Sequence, residues 1–316
     1  MDRTPLIGAS SCDHAADGSC PTAAPLSLGE AFRRLEREAA HGVCDTGRYR
    51  CPYYSWGEGP PLVFIPGLAD SGRSFVLPIS QLADHFRCIA YDLPTGRGDG
   101  ARLGRYTHAD LVADLFALLD NLGIRQAYLF GSSFGSMAAL AAMRANPERH
   151  PRAVLQGGFA YRPLARAERL LARLACYGPG PVRLLPFRAK AMRRVHHGPF
   201  AHRPPEVWQH YLTRTGGMPI ATLARHALLM HGTDLRPILG DIRQPVLMVC
   251  GDRDPLVRAE HEAILLRGLP NVRRVEVENC GHFPHYTHPE LLAEVVRQFL
   301  TPGAMFPSAS AACQER

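Results

Sequence analysis

Gly131-Ser132-Ser133-Phe134-Gly135 reads G-x-S-x-G, preceded by the apolar run Ala127 to Phe130 and followed by the Ala-rich stretch Met137 to Met143. A serine on a sharp turn between strand and helix presents its hydroxyl above the sheet, and only small flanking residues let the two elements come that close. Ser133 is therefore the candidate nucleophile, and Ser132 reads as structural. The following helix aims its N-terminal N–H groups and positive dipole end at the place where a carbonyl oxygen would gain charge, so the Phe134 N–H is a candidate oxyanion donor. A serine hydroxyl is a poor nucleophile without a base, and the reading requires a histidine oriented by a carboxylate. Two later strand ends supply both: Val246 to Cys250 runs into Gly251-Asp252-Arg253-Asp254-Pro255, and the last strand runs into Cys280-Gly281-His282-Phe283-Pro284. Asp254 is the candidate acid, with Asp252 as its competitor. His282, which follows a glycine at the end of the last strand, is the candidate base, with His285 and His288 as competitors.

Strand-type apolar runs alternate with helical patterns along most of the chain, the signature of a parallel sheet built from βαβ units and hence of an α/β fold. Seven strands are predicted: Tyr49 to Ser55, Leu62 to Pro66, Phe86 to Leu93, Ala127 to Phe130, Ala153 to Gln156, Val246 to Cys250 and Arg274 to Glu278. Leu111, Leu115, Leu118, Leu119 and Leu122 recur at helical spacing after a Thr107/Asp110 capping box, with Gly123 as the stop. Further helices are predicted from Gly135 to Ala145 and from Pro289 to Leu300. The alternation breaks over residues 161–235, where the pattern is helical and interrupted by Pro179, Pro181, Gly216 and Gly217. This insertion follows the strand ending near Phe159, so it emerges at the carboxyl edge of the sheet and is read as a lid over the site. The core is then assigned to residues 26–160 and 236–300, and residues 1–25 and 301–316 are read as disordered tails.

In combination these motifs resemble the α/β-hydrolase fold, specifically its lid-bearing serine esterases and hydrolases, over residues 47–300. The resemblance implies that the loop after an early strand, Pro66-Gly67-Leu68-Ala69-Asp70-Ser71, supplies a second oxyanion donor at the Leu68 N–H. In that family the loop often begins with histidine, which Pro66 replaces here. Tyr91 to Gly98 resembles another family loop and reads as structural. The implied chemistry is cleavage of an ester or thioester of a small-molecule acyl substrate. An acyltransferase on the same triad, or a noncatalytic ligand receptor of the same fold, are the alternative readings. A serine in the elbow speaks against the epoxide hydrolases and haloalkane dehalogenases, which resemble this fold but carry aspartate there. No cofactor or metal is required by this chemistry.

The 316 residues are 46% hydrophobic and 21% charged, the proportions of a globular chain rather than a collagen-like, disordered or coiled-coil one. The longest apolar pieces are far short of a membrane span, and the N-terminus lacks the apolar stretch of a secretory signal, so a cytoplasmic location is expected. Nine scattered cysteines without a CxxC pair read as free thiols. Of the net charge of +7, residues 161–235 alone hold +9, from twelve Arg or Lys against three Asp or Glu. Neither a nucleic-acid motif nor interleaved stacking aromatics accompany this charge, so nucleic acid is not an expected partner. The simplest expectation is that leucines such as Leu170, Leu171 and Leu174 cover the core while the arginines form the solvated face. Steering of an anionic substrate, an acyl carrier or a membrane surface is the other.

Overall fold

A computed structural model of the chain describes residues 26–301, so the expected tails lie outside the described residues apart from Thr301. In chain order the elements are α1 (Leu28–Glu38), β1 (Ala40–Asp45), β2 (Arg50–Trp56), β3 (Pro61–Ile65), α2 (Val76–Leu82), β4 (Arg87–Tyr91), α3 (His108–Asn121), β5 (Tyr128–Ser132), α4 (Phe134–Ala145) and β6 (Ala153–Gln156). Four helices follow, α5 (Arg166–Ala175), α6 (Arg188–His196), α7 (Pro205–Gly217) and α8 (Ile220–Gly232). The chain then closes with β7 (Val246–Gly251), α9 (Ala259–Gly268), β8 (Val272–Val277), α10 (Pro284–Thr287) and α11 (Pro289–Leu300).

The strands form one eight-stranded sheet in the order β1-β2-β4-β3-β5-β6-β7-β8. From β4 to β8 all neighbours are parallel, while β1 and β2 add an antiparallel edge. The central strands are apolar throughout because helices cover both faces. Val63, Ile65, Leu129, Leu155 and Met248 pack towards α3 and α4, and Leu62, Phe64, Phe130, Val154 and Leu247 towards α2 and α11. Helix α3 begins at the capping box anticipated from the sequence: the Thr107 side chain accepts from the Asp110 N–H, and the Asp110 carboxylate accepts from the Thr107 N–H at 2.7 Å.

Strand β1 and helices α1, α2, α9 and α10 were not anticipated from the periodicity. Strand β1 reads Ala-His-Gly-Val-Cys-Asp and buries Cys44 alone, so no alternation marks it; it exists because its whole length pairs with β2, where Tyr53 lies across Gly42. Helix α1 is held by Ser27 and Glu30, which cap its first turn reciprocally, and by Leu28, Ala31 and Leu35 in the core.

The segment between β6 and β7 forms α5 to α8, and its α8 and α6 reach segments that follow strand ends, where His226 meets Phe134 and His196 meets Phe283. Its α7 side is fastened to the core by aromatic rings, with Tyr211 4.8 Å from Phe283 and Phe200 6.1 Å from Tyr286. Its α5 side corrects the expectation of a buried leucine stripe. Leu170, Leu171 and Leu174 are exposed and α5 buries no residue fully. The face turned to α8 carries the partly buried Ala172, Ala175 and Cys176 instead, small side chains that let the two helices lie close.

Candidate active site

Residues Leu68, Ser133, Asp254 and His282 all follow the carboxyl ends of parallel strands, β3, β5, β7 and β8, where open α/β sheets bind ligands. Ser133 fills the single position between β5 and α4, at φ 51° and ψ −115°, a region costly for any residue with a side chain. The turn is held from both sides. The Ser133 N–H donates to the Gln156 carbonyl at 2.8 Å, and the Ser133 carbonyl accepts from the Ser136 N–H at 2.9 Å and from the Ser136 hydroxyl at 2.6 Å. The two motif glycines are required by contact: a Cβ at Gly131 would meet Ser136 Cα at 2.7 Å, and one at Gly135 would meet the Ile65 carbonyl oxygen at 2.2 Å. Ser133 remains partly exposed. Ser132 is buried, its hydroxyl accepting from Gln156 Nε2 at 3.0 Å, in keeping with a structural role.

Asp254 and His282 meet as a pair, with His282 Nδ1 2.7 Å from Asp254 Oδ2 and both side chains buried. The other carboxylate oxygen, Oδ1, accepts from the Leu256 N–H at 2.8 Å and the Val257 N–H at 3.0 Å. Burial by itself raises the Asp254 pKa, but the adjacent His282 and these donors outweigh it and hold the carboxyl below its ordinary value. The loops can cross because Gly251 has no side chain; a Cβ there would lie 2.3 Å from the Gly281 carbonyl oxygen. The imidazole stands over Gly157, where a Cβ would lie 2.8 Å from His282 Cε1, and Gly157 directly follows the residue that holds the Ser133 N–H. The Ser133 turn and the His–Asp pair thus border one small space.

The competitors are engaged elsewhere. Asp252 Oδ1 accepts from the Cys280 N–H at 2.9 Å, tying the two loops together at the backbone. His288 contacts Thr287 Oγ1 at 2.9 Å and packs against the ring of His202. His285 is fully buried, with Nδ1 against the Gln156 amide at 2.9 Å and Nε2 3.4 Å from Asp70 Oδ2. Asp70 in turn accepts from the Ser71 N–H and the Ser74 hydroxyl. This buried chain of Ser132, Gln156, His285 and Asp70 links the strand end before Ser133, the loop after β3 and the turn after His282. Sequence reasoning missed it, because its members are isolated polar residues in four unrelated segments.

The loop after β3 runs past the Ser133 turn, where a Cβ added at Gly67 would lie 3.3 Å from Ser133 Cβ, and turns at Ala69, whose φ is 59°. Leu68 lies between these two residues. At Phe134 the first turn of α4 offers N–H groups without intrahelical acceptors. The Tyr91–Gly98 loop is a scaffold: Asp92 Oδ1 accepts from the Gly72 N–H at 2.8 Å, and Asp99 accepts from the Thr95 N–H at 2.6 Å. Two imidazoles from the inserted helices close the space from above. His226 stacks on Phe134 at 5.7 Å, and His196 meets Phe283 edge-on at 5.1 Å. Burial pushes both down to about 4, so they are neutral. Nothing in the helical periodicity singled them out among 15 histidines.

Residues 60–289 match the family profile of the alpha/beta hydrolase fold. The chain is 28% identical to a 2-(acetamidomethylene)succinate hydrolase of Mesorhizobium japonicum, the alignment covering 81% of this chain and 93% of that protein. It is also 28% identical to a 2-succinyl-6-hydroxy-2,4-cyclohexadiene-1-carboxylate synthase of Yersinia pestis, over 80% of this chain and 91% of the other. Among solved structures, a thermophilic esterase from Thermogutta terrifontis superposes with a TM-score of 0.72 at 23% identity, covering 83% of this chain and 98% of that one. No helix among the described residues is long and apolar enough to cross a membrane. The profile match spans most of the chain, from the strand before the Pro66 loop to the residue after His288, and the chain belongs to the α/β-hydrolase fold family.

Proposed function

We propose that this chain is a serine hydrolase that cleaves an ester or thioester of a small-molecule acyl substrate. Ser133 Oγ attacks the carbonyl carbon while His282 Nε2 takes its proton, and Asp254 holds the ring through Nδ1 and stabilises the imidazolium. The oxygen that gains the negative charge sits between the Phe134 and Leu68 N–H groups. His282 then returns the proton to the leaving alkoxide or thiolate as the carbon–oxygen or carbon–sulfur bond breaks, leaving an acyl group on Ser133. Water enters, loses a proton to His282 and releases the acid, restoring the serine. The helices over 161–235 serve as the lid, with His226 and His196 on its inner side.

The observation that carries the reading is the convergence at Gln156–Gly157. The backbone of Gln156 fastens the strained Ser133, and Gly157 seats the ring that Asp254 holds at 2.7 Å. Strain of this kind is expected where a side chain must be held out for reaction. That one relative is named a hydrolase and another a synthase leaves the reaction to be decided by the site, and a carboxylate-held imidazole beside an elbow serine is the arrangement of acyl transfer.

The test is labelling by a fluorophosphonate together with turnover of p-nitrophenyl esters of graded chain length. Ser133→Ala is expected to lose the label and to lower turnover by on the order of 10⁴-fold or more, while Ser132→Ala keeps both. Labelling that persists in Ser133→Ala would overturn the assignment.

A further inference from the structure

Exposed large apolar side chains are concentrated in one part of the molecule. Of eleven such residues among those described, eight lie between Leu170 and Val195. Leu170, Leu171 and Leu174 are 59, 65 and 64% exposed, Tyr177 is 87% and Phe187 81%. They belong to one braced layer rather than to a loose end. Helix α5 rests on α8, and the stretch after it is pinned to the start of that same helix by the Val182 N–H on the Met218 carbonyl at 2.8 Å and the Ile220 N–H on the Gly180 carbonyl at 3.0 Å. Phe187 is held outward by strained backbone, at φ 61° and ψ 1°, a conformation an aromatic residue rarely adopts. A helix that turns Ala172 and Ala175 inward and its leucines outward forgoes burial that its own sequence offers. A monomer gains nothing from this in water.

The same stretch carries the chain's charge. Residues 162–194 hold nine Arg or Lys and a single acid, Glu168, a net +8. Arg166, Arg173, Arg183, Lys190, Arg193 and Arg194 have no carboxylate partner among the described residues, the nearest ion pairs of the segment's end being Arg203 with Glu290 and Arg236 with Asp234. Outward leucines and aromatics interleaved with unpaired cations are the composition that lies in the interfacial layer of a bilayer, the apolar groups below the headgroups and the guanidinium groups among their phosphates. A second copy of the chain fits badly, because two faces of net +8 would meet.

We propose that the α5–α6 face of the inserted segment is a docking surface for an anionic lipid bilayer. The contact brings the lid, and with it the space above Ser133, to the membrane surface without any spanning helix. The apolar and basic groups contribute separately: the first set partition into the interface, the second select the charge of the lipid.

The proposal is tested by co-sedimentation of the full chain with vesicles of phosphatidylcholine alone and of phosphatidylcholine with phosphatidylglycerol in equal parts, at low and high ionic strength. The expected result is binding to the phosphatidylglycerol vesicles at low salt, weaker binding at high salt, and little to phosphatidylcholine alone. Leu171→Ser with Phe187→Ser should lower the partition coefficient by about tenfold or more, and Arg193→Glu with Arg194→Glu by a similar factor. All four side chains are at the surface and outside the candidate site, so these variants keep the fold. No binding to the anionic vesicles, equal binding to both vesicle types, or unchanged binding of the Leu171/Phe187 variant would each overturn the proposal. So would a dimer in sedimentation velocity that this variant dissolves.

Discussion

Which carboxylate meets the His282 imidazole is decided by a spacing of two residues. Asp252 and Asp254 share a loop, yet the first accepts from a backbone N–H of the facing loop and the second from the His282 ring. Asp254→Asn keeps the size of the side chain but can donate to Nδ1 and so favours the wrong tautomer, and turnover is expected to fall by on the order of 10³- to 10⁴-fold with the fold retained. Asp252→Asn keeps an oxygen for the Cys280 N–H and should change turnover little. Steady-state kinetics of the two variants on one ester decide it; the opposite ranking would move the acid to Asp252. Because His282 and backbone donors hold the Asp254 pKa below its ordinary value, its contribution to stability is present above the ordinary carboxylate range and is lost only as the pH falls through that lowered value.

Among the elements, the approach of α4 to β3 is the tightest requirement. At Gly135 an added Cβ would sit 2.2 Å from the Ile65 carbonyl oxygen and 2.7 Å from that of Pro66, both backbone atoms that cannot swing aside. Gly135→Ala should therefore cost about 3 kcal/mol or more, or prevent folding. Gly98 offers the contrast, since its φ is +76° but nothing lies within 4 Å of its Cβ site. Gly98→Ala should cost only about 1 kcal/mol, the price of the dihedral alone. Urea unfolding of both variants separates the steric from the conformational requirement, and similar losses at the two positions would show that the close approach is not what the motif glycine supplies.

At the scale of the whole molecule, stability at acid pH depends on histidines buried without charge. His150, His196 and His226 are each pushed from 6.5 to about 4 by burial. A pKa lowered on folding means that the unfolded chain takes up the proton first as the pH falls. Their stabilities are thus complete above 6.5 and lost progressively between 6.5 and about 4, each histidine contributing on the order of 1 kcal/mol per pH unit in that window. Thermal midpoints followed from neutral pH down through about 4 should fall steeply there, and His226→Phe, which keeps a ring against Phe134 but cannot titrate, should flatten the slope. A midpoint independent of pH across this range would remove buried histidine from the account.

The α/β architecture, the glycine-flanked turn at Ser133 and the strand-end loops that carry Asp254 and His282 could be read from the sequence because each is encoded locally. A strand buried on both faces must be apolar along its length, a helix that abuts a strand needs glycine at the contact, and loops that carry polar groups follow strand ends. Seven of the eight strands carried such a signal, whereas β1 has none and is created by its ladder with β2. What no local pattern could decide was which residues distant in the chain would meet. The choice between Asp252 and Asp254, the buried chain through Gln156, His285 and Asp70, and the two neutral imidazoles above the site each depend on loops brought together by the sheet order. The same is true of α5. Its sequence is amphipathic in either orientation, and periodicity identifies an apolar face without saying what lies against it; only the packing of α5 on α8 leaves the leucines to solvent.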